Sequence, residues 1–199
     1  MTAPRRAVAE SALSFLHAEL VQMALGSDTA ETAPTPSQLQ HASRKVEAIG
    51  FQVGQRLVER YTKDRPRSAD TLEIIKFICK DFWVEVYRKQ VDKLQTNNRV
   101  RAIQVQPLCI GKRCLTFCYT RLTQGVYMLQ DNAHPVLTRC SPSASCQGNA
   151  KQMATLHIKF PSGLIRGALF GLGVIASVSA EVSELPRCQF TIKIQVAER

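Results

Sequence analysis

The most regular alternation of apolar and polar positions lies near the C-terminal end. In 174-VIASVSAEV-182, Ala176, Val178, Ala180 and Val182 alternate with Ser177, Ser179 and Glu181; in 188-CQFTIKIQV-196, Cys188, Phe190, Ile192, Ile194 and Val196 alternate with Gln189, Thr191, Lys193 and Gln195. A period of two sends successive side chains to opposite faces of a strand. The two runs therefore predict an antiparallel hairpin, turning through 183-SELPR-187, with one face buried and one wet. Upstream the period lengthens. Over residues 8–25, Leu13, Leu16, Leu20 and Met23 recur three and four apart and draw one apolar stripe on a helix. After a polar connection a second helix opens with Thr35 as N-cap, Pro36 at the first helical position and Gln38 where a capping box needs it. It runs towards Tyr61 with Val46, Ile49, Val53 and Leu57 on one face.

A third helix is predicted from a cap at Ser68 towards Gln95. Leu72, Ile75, Cys79, Phe82 and Val86 form one stripe and Trp83, Tyr87, Val91 and Leu94 another, which implies two buried sides or a kink between halves. Residues 125–131 and 135–139 read as short strands turning at Asn132, and a Ser-, Cys-, Gly- and Asn-rich loop follows. Pro161 and Ser162 then open a short apolar helix that passes Leu172 and stops at Gly173. Gly50 and Gly54 sit one turn apart inside the second helix, where each costs about 1 kcal/mol relative to alanine. Close approach of another helix to the bare backbone would compensate; a tolerated weak spot on an exposed face is the alternative. Helices first, strands late and a helix between strand pairs make the fold class α+β, with helices layered on one face of an antiparallel sheet. At 199 residues one domain is expected.

Charge alters this picture only locally. The formal net charge is +10, but Arg99, Arg101, Lys112, Arg113 and Arg121 supply half of it, and residues 99–123 contain no Asp or Glu. Elsewhere the positive charge is dispersed and no aromatic-plus-basic strand motif is present, so nucleic acid is not an expected partner. Seven cysteines scattered through apolar segments do not resemble a secreted disulfide framework and suit a reducing, cytoplasmic setting. Glu10 and Glu19 interrupt what a leader peptide would need to keep uncharged.

Catalytic lettering is absent. Cys109, Cys114 and Cys118 lack the fourth ligand and the nearby histidine of a zinc site, and Cys79 and Cys188 read as small core residues. His17, His41, His134 and His157 lie in separate segments, His17 at the edge of a core or an interface. No phosphate loop, dinucleotide loop or hydrolase motif occurs. The expectation is a protein that is not an enzyme, with no catalytic residues, no cofactor and no metal. Amphipathic helices with surplus apolar faces usually meet another protein.

Six strings point further. The segments 48-AIGFQVGQRLVERYTKD-64, 76-KFICKDFW-83, 88-RKQVDKLQTN-97, 126-VYMLQDN-132, 163-GLIRGAL-169 and 188-CQF-190 resemble, in order, the subunit 6 branch of the small TRAPP (transport protein particle) subunits. The resemblance covers roughly residues 11–98 and 124–197. It implies antiparallel helices layered on a four-stranded antiparallel sheet. It also implies a structural adaptor in a vesicle-tethering complex, one that forms a heterodimer with TRAPP subunit 3 through its first two helices. Other TRAPP subunits would join it, and a Rab-type GTPase would be engaged only indirectly, through nucleotide exchange by the assembled complex. The setting would be cytoplasmic and peripheral at Golgi and endoplasmic reticulum membranes, in endoplasmic reticulum to Golgi and Golgi traffic. On that basis Leu13, Leu16, Leu20, Met23, Ile49, Gly50, Val53, Gly54 and Leu57 are the candidate partner interface, although each could equally pack on its own sheet. One departure matters: subunit 3 carries an acylated cysteine and an apolar channel, whereas 62-TKDRPRSADT-71 has no cysteine, so lipidation is not expected here. A stand-alone domain for an apolar ligand or acyl chain is the alternative reading, and a binder of anionic membranes a weaker third.

In the family the helix ending in T-N runs almost directly into Q-G-[VI]-Y. Here residues 99–123 intervene, a basic insertion in a domain that otherwise spans 1–199. A flexible insertion costs only on the order of 2–3 kcal/mol of closure entropy, growing slowly with length, and a helix-to-strand junction is a tolerant place for it. A genuine loop and an in-frame retained intron, whose ends Val100-Arg101 and Arg121-Leu122-Thr123-Gln124 could encode splice signals, are both compatible with its composition.

Overall fold

The computed structural model describes residues 10–26, 34–63, 70–98, 125–138 and 147–195. Four antiparallel strands form one sheet: β1 (Lys93–Asn98), β2 (Gly125–Asp131), β3 (Ala176–Val182) and β4 (Cys188–Ile194), in spatial order β1-β2-β4-β3. The helices are α1 (Glu10–Leu25), α2 (Pro36–Thr62), α3 (Thr71–Phe77), α4 (Trp83–Tyr87), α5 (Pro135–Thr138), α6 (Gln147–His157) and α7 (Lys159–Gly171). Between α3 and α4 the residues Ile78–Phe82 form a π-helical turn. The architecture is the expected one: helices on a four-stranded antiparallel sheet.

The C-terminal hairpin forms as the alternation predicts, with Ala176 opposite Ile194 and Val182 opposite Cys188. Ala180, Val182, Phe190 and Ile192 face the helices, while Ser177, Ser179, Glu181 and Lys193 face solvent. The capping box at Thr35 is also as read: Gln38 N donates to Thr35 Oγ1, and Thr35 N donates to Gln38 Oε1 at 2.8 Å. Residues 78–82 explain the two stripes of the third helical pattern. A π turn inserts an extra residue and rotates every later side chain, so Ile75 before it, Cys79 within it and Trp83 and Tyr87 after it reach the same core.

Four expectations change. The third helix stops at Tyr87, not near Gln95, because Arg88 adopts a left-handed conformation (φ 58°), and residues 93–98 are strand β1. Its N-cap is Asp70, whose Oδ1 accepts from Leu72 N at 3.1 Å; Ser68 lies outside the described residues. Residues 135–138 are a helical turn, held by Leu137 N and Thr138 N donating to His134 O, and the strand partner expected there is supplied by β1 and β4 instead. The loop expected before Pro161 contains α6, and α7 begins at Lys159.

A further change concerns the insertion, which lies outside the described residues. Its ends are not at a helix-to-strand junction: Asn98 and Gly125 are register partners at the end of the β1–β2 pairing. A two-residue turn suffices to join such a pair. Replacing residues 99–124 by Asn-Gly should therefore leave the fold intact, with a thermal midpoint no lower than that of the full chain. A fall of more than a few degrees in a calorimetric scan would show that the segment supports the domain.

The packing of α2 on α7 is unusually close. A Cβ placed on Gly50 would meet the backbone oxygen of Phe160, on Gly54 that of Leu164, on Gly163 that of Glu47 and on Gly167 that of Phe51. Each helix thus offers a small-xxx-small pair to the other's backbone, a pattern that lets helix axes approach until side chains no longer separate them. This is the compensation the two glycines of α2 require.

Candidate partner interface

The main core fills the space between the sheet and α2, α3, α4 and α7, with Phe82, Trp83, Tyr127 and Phe190 among its largest fully buried members. At one end of it is a polar node. Asp131, fully buried at the end of β2, accepts hydrogen bonds from Trp83 Nε1 (3.3 Å) and Ala133 N (3.1 Å) and pairs with Lys89, whose Nζ also donates to Ala133 O at 3.1 Å. Asp92 adds a 3.8 Å ion pair to Lys89 and accepts from Asn132 N. Beside it His134 packs between Trp83, Tyr87 and Phe190 and is pushed by burial down to about 3. These groups join a helix end to a strand end. Asp131 and His134 are fully buried, Lys89 is half-buried and Asp92 is exposed.

The surface is more informative. α1 packs through Val21 and Ala24 onto Ala42 and Val46 of α2 and Leu156 of α6. The stripe read from its sequence is not the stripe it buries. Leu13, Leu16 and Met23 are 43, 65 and 70% exposed, and only Leu20 is half-buried against the cluster. At 100° per residue this stripe is rotated by about a quarter turn from the buried residues. Phe15, which the spacing pattern omitted, is 70% exposed as well. α1 is therefore apolar on its inner side, one flank and part of its outer side.

The α2 candidates separate differently. Val53 and Leu57 are half-buried against the main core, and Ile49 is half-buried. Gly50 and Gly54 are buried under α7 of the same chain, so they are removed from the partner surface: the sequence could not say which helix would use their bare backbone, and α7 does. Cys79 and Cys188 are buried free thiols, as expected, and burial holds Cys79 up at about 12. Cys109, Cys114 and Cys118 lie outside the described residues. Among the described residues no group of three His, Cys, Asp or Glu side chains could hold a metal, and no helix is long and apolar enough to cross a membrane.

A shallow groove of about 360 Å³ lies between α2, α7 and the start of β3. Its wall is Phe51, with Arg166 5.0 Å over the ring and Phe170 at 5.5 Å, and Arg166 also pairs with Glu47 at 3.1 Å.

The sequence of the chain matches the family described as transport protein particle (TRAPP) component over residues 13–195. The chain belongs to the TRAPP component family. Several of its relatives carry subunit 6 names. Trafficking protein particle complex subunit 6b of Danio rerio is 38% identical over 186 residues, 94% of this chain and 97% of that protein. Human subunit 6B is 41% identical over 151 residues (76% and 77%), and human subunit 6A 34% identical over 180 residues (90% and 93%). The fold is that of a trafficking protein particle complex subunit 3 from Naegleria fowleri covalently bound to palmitic acid: TM-score 0.57 at 10% identity, covering 96% of this TRAPP component and 99% of the other chain. Subunit 6 kinship and the helix-on-sheet fold thus agree with the strings quoted from the sequence, and the chain is a TRAPP complex subunit.

Proposed function

We propose that this TRAPP subunit is a non-enzymatic adaptor that works as one half of a heterodimer with subunit 3. The reading continues to the assembled complex: with its other subunits it would support nucleotide exchange on a Rab-type GTPase in endoplasmic reticulum to Golgi and Golgi traffic, at the cytoplasmic face of those membranes. The observation that carries it is the apolar face of α1. Leu13, Phe15, Leu16 and Met23 stand exposed along a helix that already buries its other side, and four large apolar side chains left in water on a single helix mark a protein-binding surface. Ile49, and the half-buried Val53 and Leu57, belong to the α2 part of the same reading. The domain interrupted at 99–123 is the unit that would assemble.

Co-expression with subunit 3 of the same source, followed by size exclusion with light scattering, tests the proposal. A one-to-one complex is expected for the unchanged chain. Leu16→Glu with Met23→Glu should weaken it by at least about a hundredfold, since burying an unpaired charge removes both the apolar contact and the seal around it. Stability of the isolated chain should stay within about 0.5 kcal/mol, as for other exposed positions. An unchanged complex would remove α1 from the interface, and no complex with the unchanged chain would remove the adaptor reading.

A further inference from the structure

α1 is held to the body apart from the main core, through the small cluster it shares with α2 and α6. Segments with few buried apolar contacts open on their own before the fold as a whole. Into this seam α1 inserts His17. Its ring lies 5.2 Å from the ring of His157, the last residue of α6, and 5.3 Å from the ring of Phe160 in α7. His17 Nε2 and His157 Nδ1 are both shut off from solvent, and neither has a hydrogen-bond partner. Two neutral imidazoles tolerate that setting. An imidazolium does not, because its charge would be buried against an aromatic ring and beside a second basic group.

We propose that the His17–His157 pair is an acid-sensitive latch on α1: protonation of either ring releases α1 from the body and with it dissolves the apolar face that α1 presents. The second consequence rests on the heterodimer reading above; the release itself does not. Only a backbone hydrogen bond with His157 favours a proton on His17, and burial together with the charge of His157 outweighs it. To the seam α2 brings Ala42 and Val46, α7 brings Phe160, and α6 brings Leu156 besides His157. The charge that acts on His17 is that of His157, and His134 ahead of α5 feels His17 in turn. Burial first, and His157 second, push His17 down to about 4, and burial lowers His157 too. A depressed folded value means that the docked state is fully favoured above the ordinary histidine value of 6.5 and loses ground as pH falls towards 4. Each pH unit across that window is a factor of ten, so His17 alone shifts the undocking equilibrium roughly twentyfold between pH 7 and pH 5.

Hydrogen exchange of the full chain, read by mass spectrometry at pH 7.5 and pH 5.0 and corrected for intrinsic rates, tests this without any partner. Protection of α1 should fall at least tenfold while α2 and α7 keep theirs. In His17→Leu with His157→Leu that difference should vanish. Equal α1 protection at both pH values in the unchanged chain overturns the proposal, and so does a loss shared by α2 and α7, or one that persists in the double variant. Should the variant fail to dock α1 at pH 7.5, proton resonances of the two rings in the unchanged chain decide: titration below pH 5 in step with α1 opening supports the latch, and titration near 6.5 with α1 still protected overturns it. Complex formation at pH 7.5 is scored separately, so failure of the latch and failure of the heterodimer reading give different results.

Discussion

Gly54→Ala together with Gly167→Ala should cost the protein more than about 3 kcal/mol and lower its thermal midpoint by roughly 6–12 °C. In each case the new methyl group points at a backbone oxygen of the facing helix, Leu164 for position 54 and Phe51 for position 167. A side chain can turn aside, but a helix backbone moves only as a unit. The α2–α7 pair must therefore separate along its length, and the contacts to either side of each glycine are lost with it. Gly171→Ala is the control, because the added Cβ there would meet chiefly Cγ1 of Val58. Its cost should be clearly smaller. Equal losses for the double variant and the control, measured by urea titration, would mean that the helices do not approach as closely as described.

The second large effect is expected at Lys89→Met, about 3–5 kcal/mol, the range for stranding one member of a buried pair. Asp131 is fully buried, and removing Lys89 leaves its carboxylate with Trp83 Nε1 and Ala133 N alone. The double variant Lys89→Met/Asp131→Asn should be more stable than Lys89→Met, since the amide oxygen can still accept from Trp83 and no charge remains to be compensated. A coupling energy near zero across that cycle would show that the two residues do not act as a pair. Asp92 lies 3.8 Å from Lys89 and retains its own acceptor role towards Asn132 N, so it does not replace Asp131.

The parts of the fold that declare themselves locally are the parts a reader of the sequence finds. Thr35, Pro36 and Gln38 specify a helix start within four positions, and β3 and β4 carry their core face in alternating apolar letters. β1 carries no such mark. In KLQTNN only Leu94 is apolar, and its extended form comes from pairing with β2 at the sheet edge. Nor is the end of the preceding helix announced, because Arg88 stands where a glycine would have signalled a left-handed residue. The exposed apolar face of α1 is half legible for a related reason. Spacing gave the stripe Leu13, Leu16, Leu20 and Met23, but the neighbour of a stripe is a tertiary fact, and the residues α1 turns inward are Val21 and Ala24. Phe15 lies about a third of a turn from the centre of that stripe, and its exposure brings it forward. For Gly50 and Gly54 the cost of glycine in a helix predicted close approach correctly, while the identity of the approaching helix depended on a segment more than a hundred residues away.

That separation has a consequence for how the chain is made. α2 emerges early from the ribosome, and the glycines that receive it, Gly163 and Gly167, emerge after most of the remaining chain. At about 5–20 residues per second, synthesis leaves α2 without its mate for at least several seconds. Contacts between distant parts of a chain also close slowly, because the intervening loop must be ordered first. Throughout that interval the bare face of α2 and the apolar flank of α1 are both open. A partner that reached α1 early would shorten that exposure from one side only.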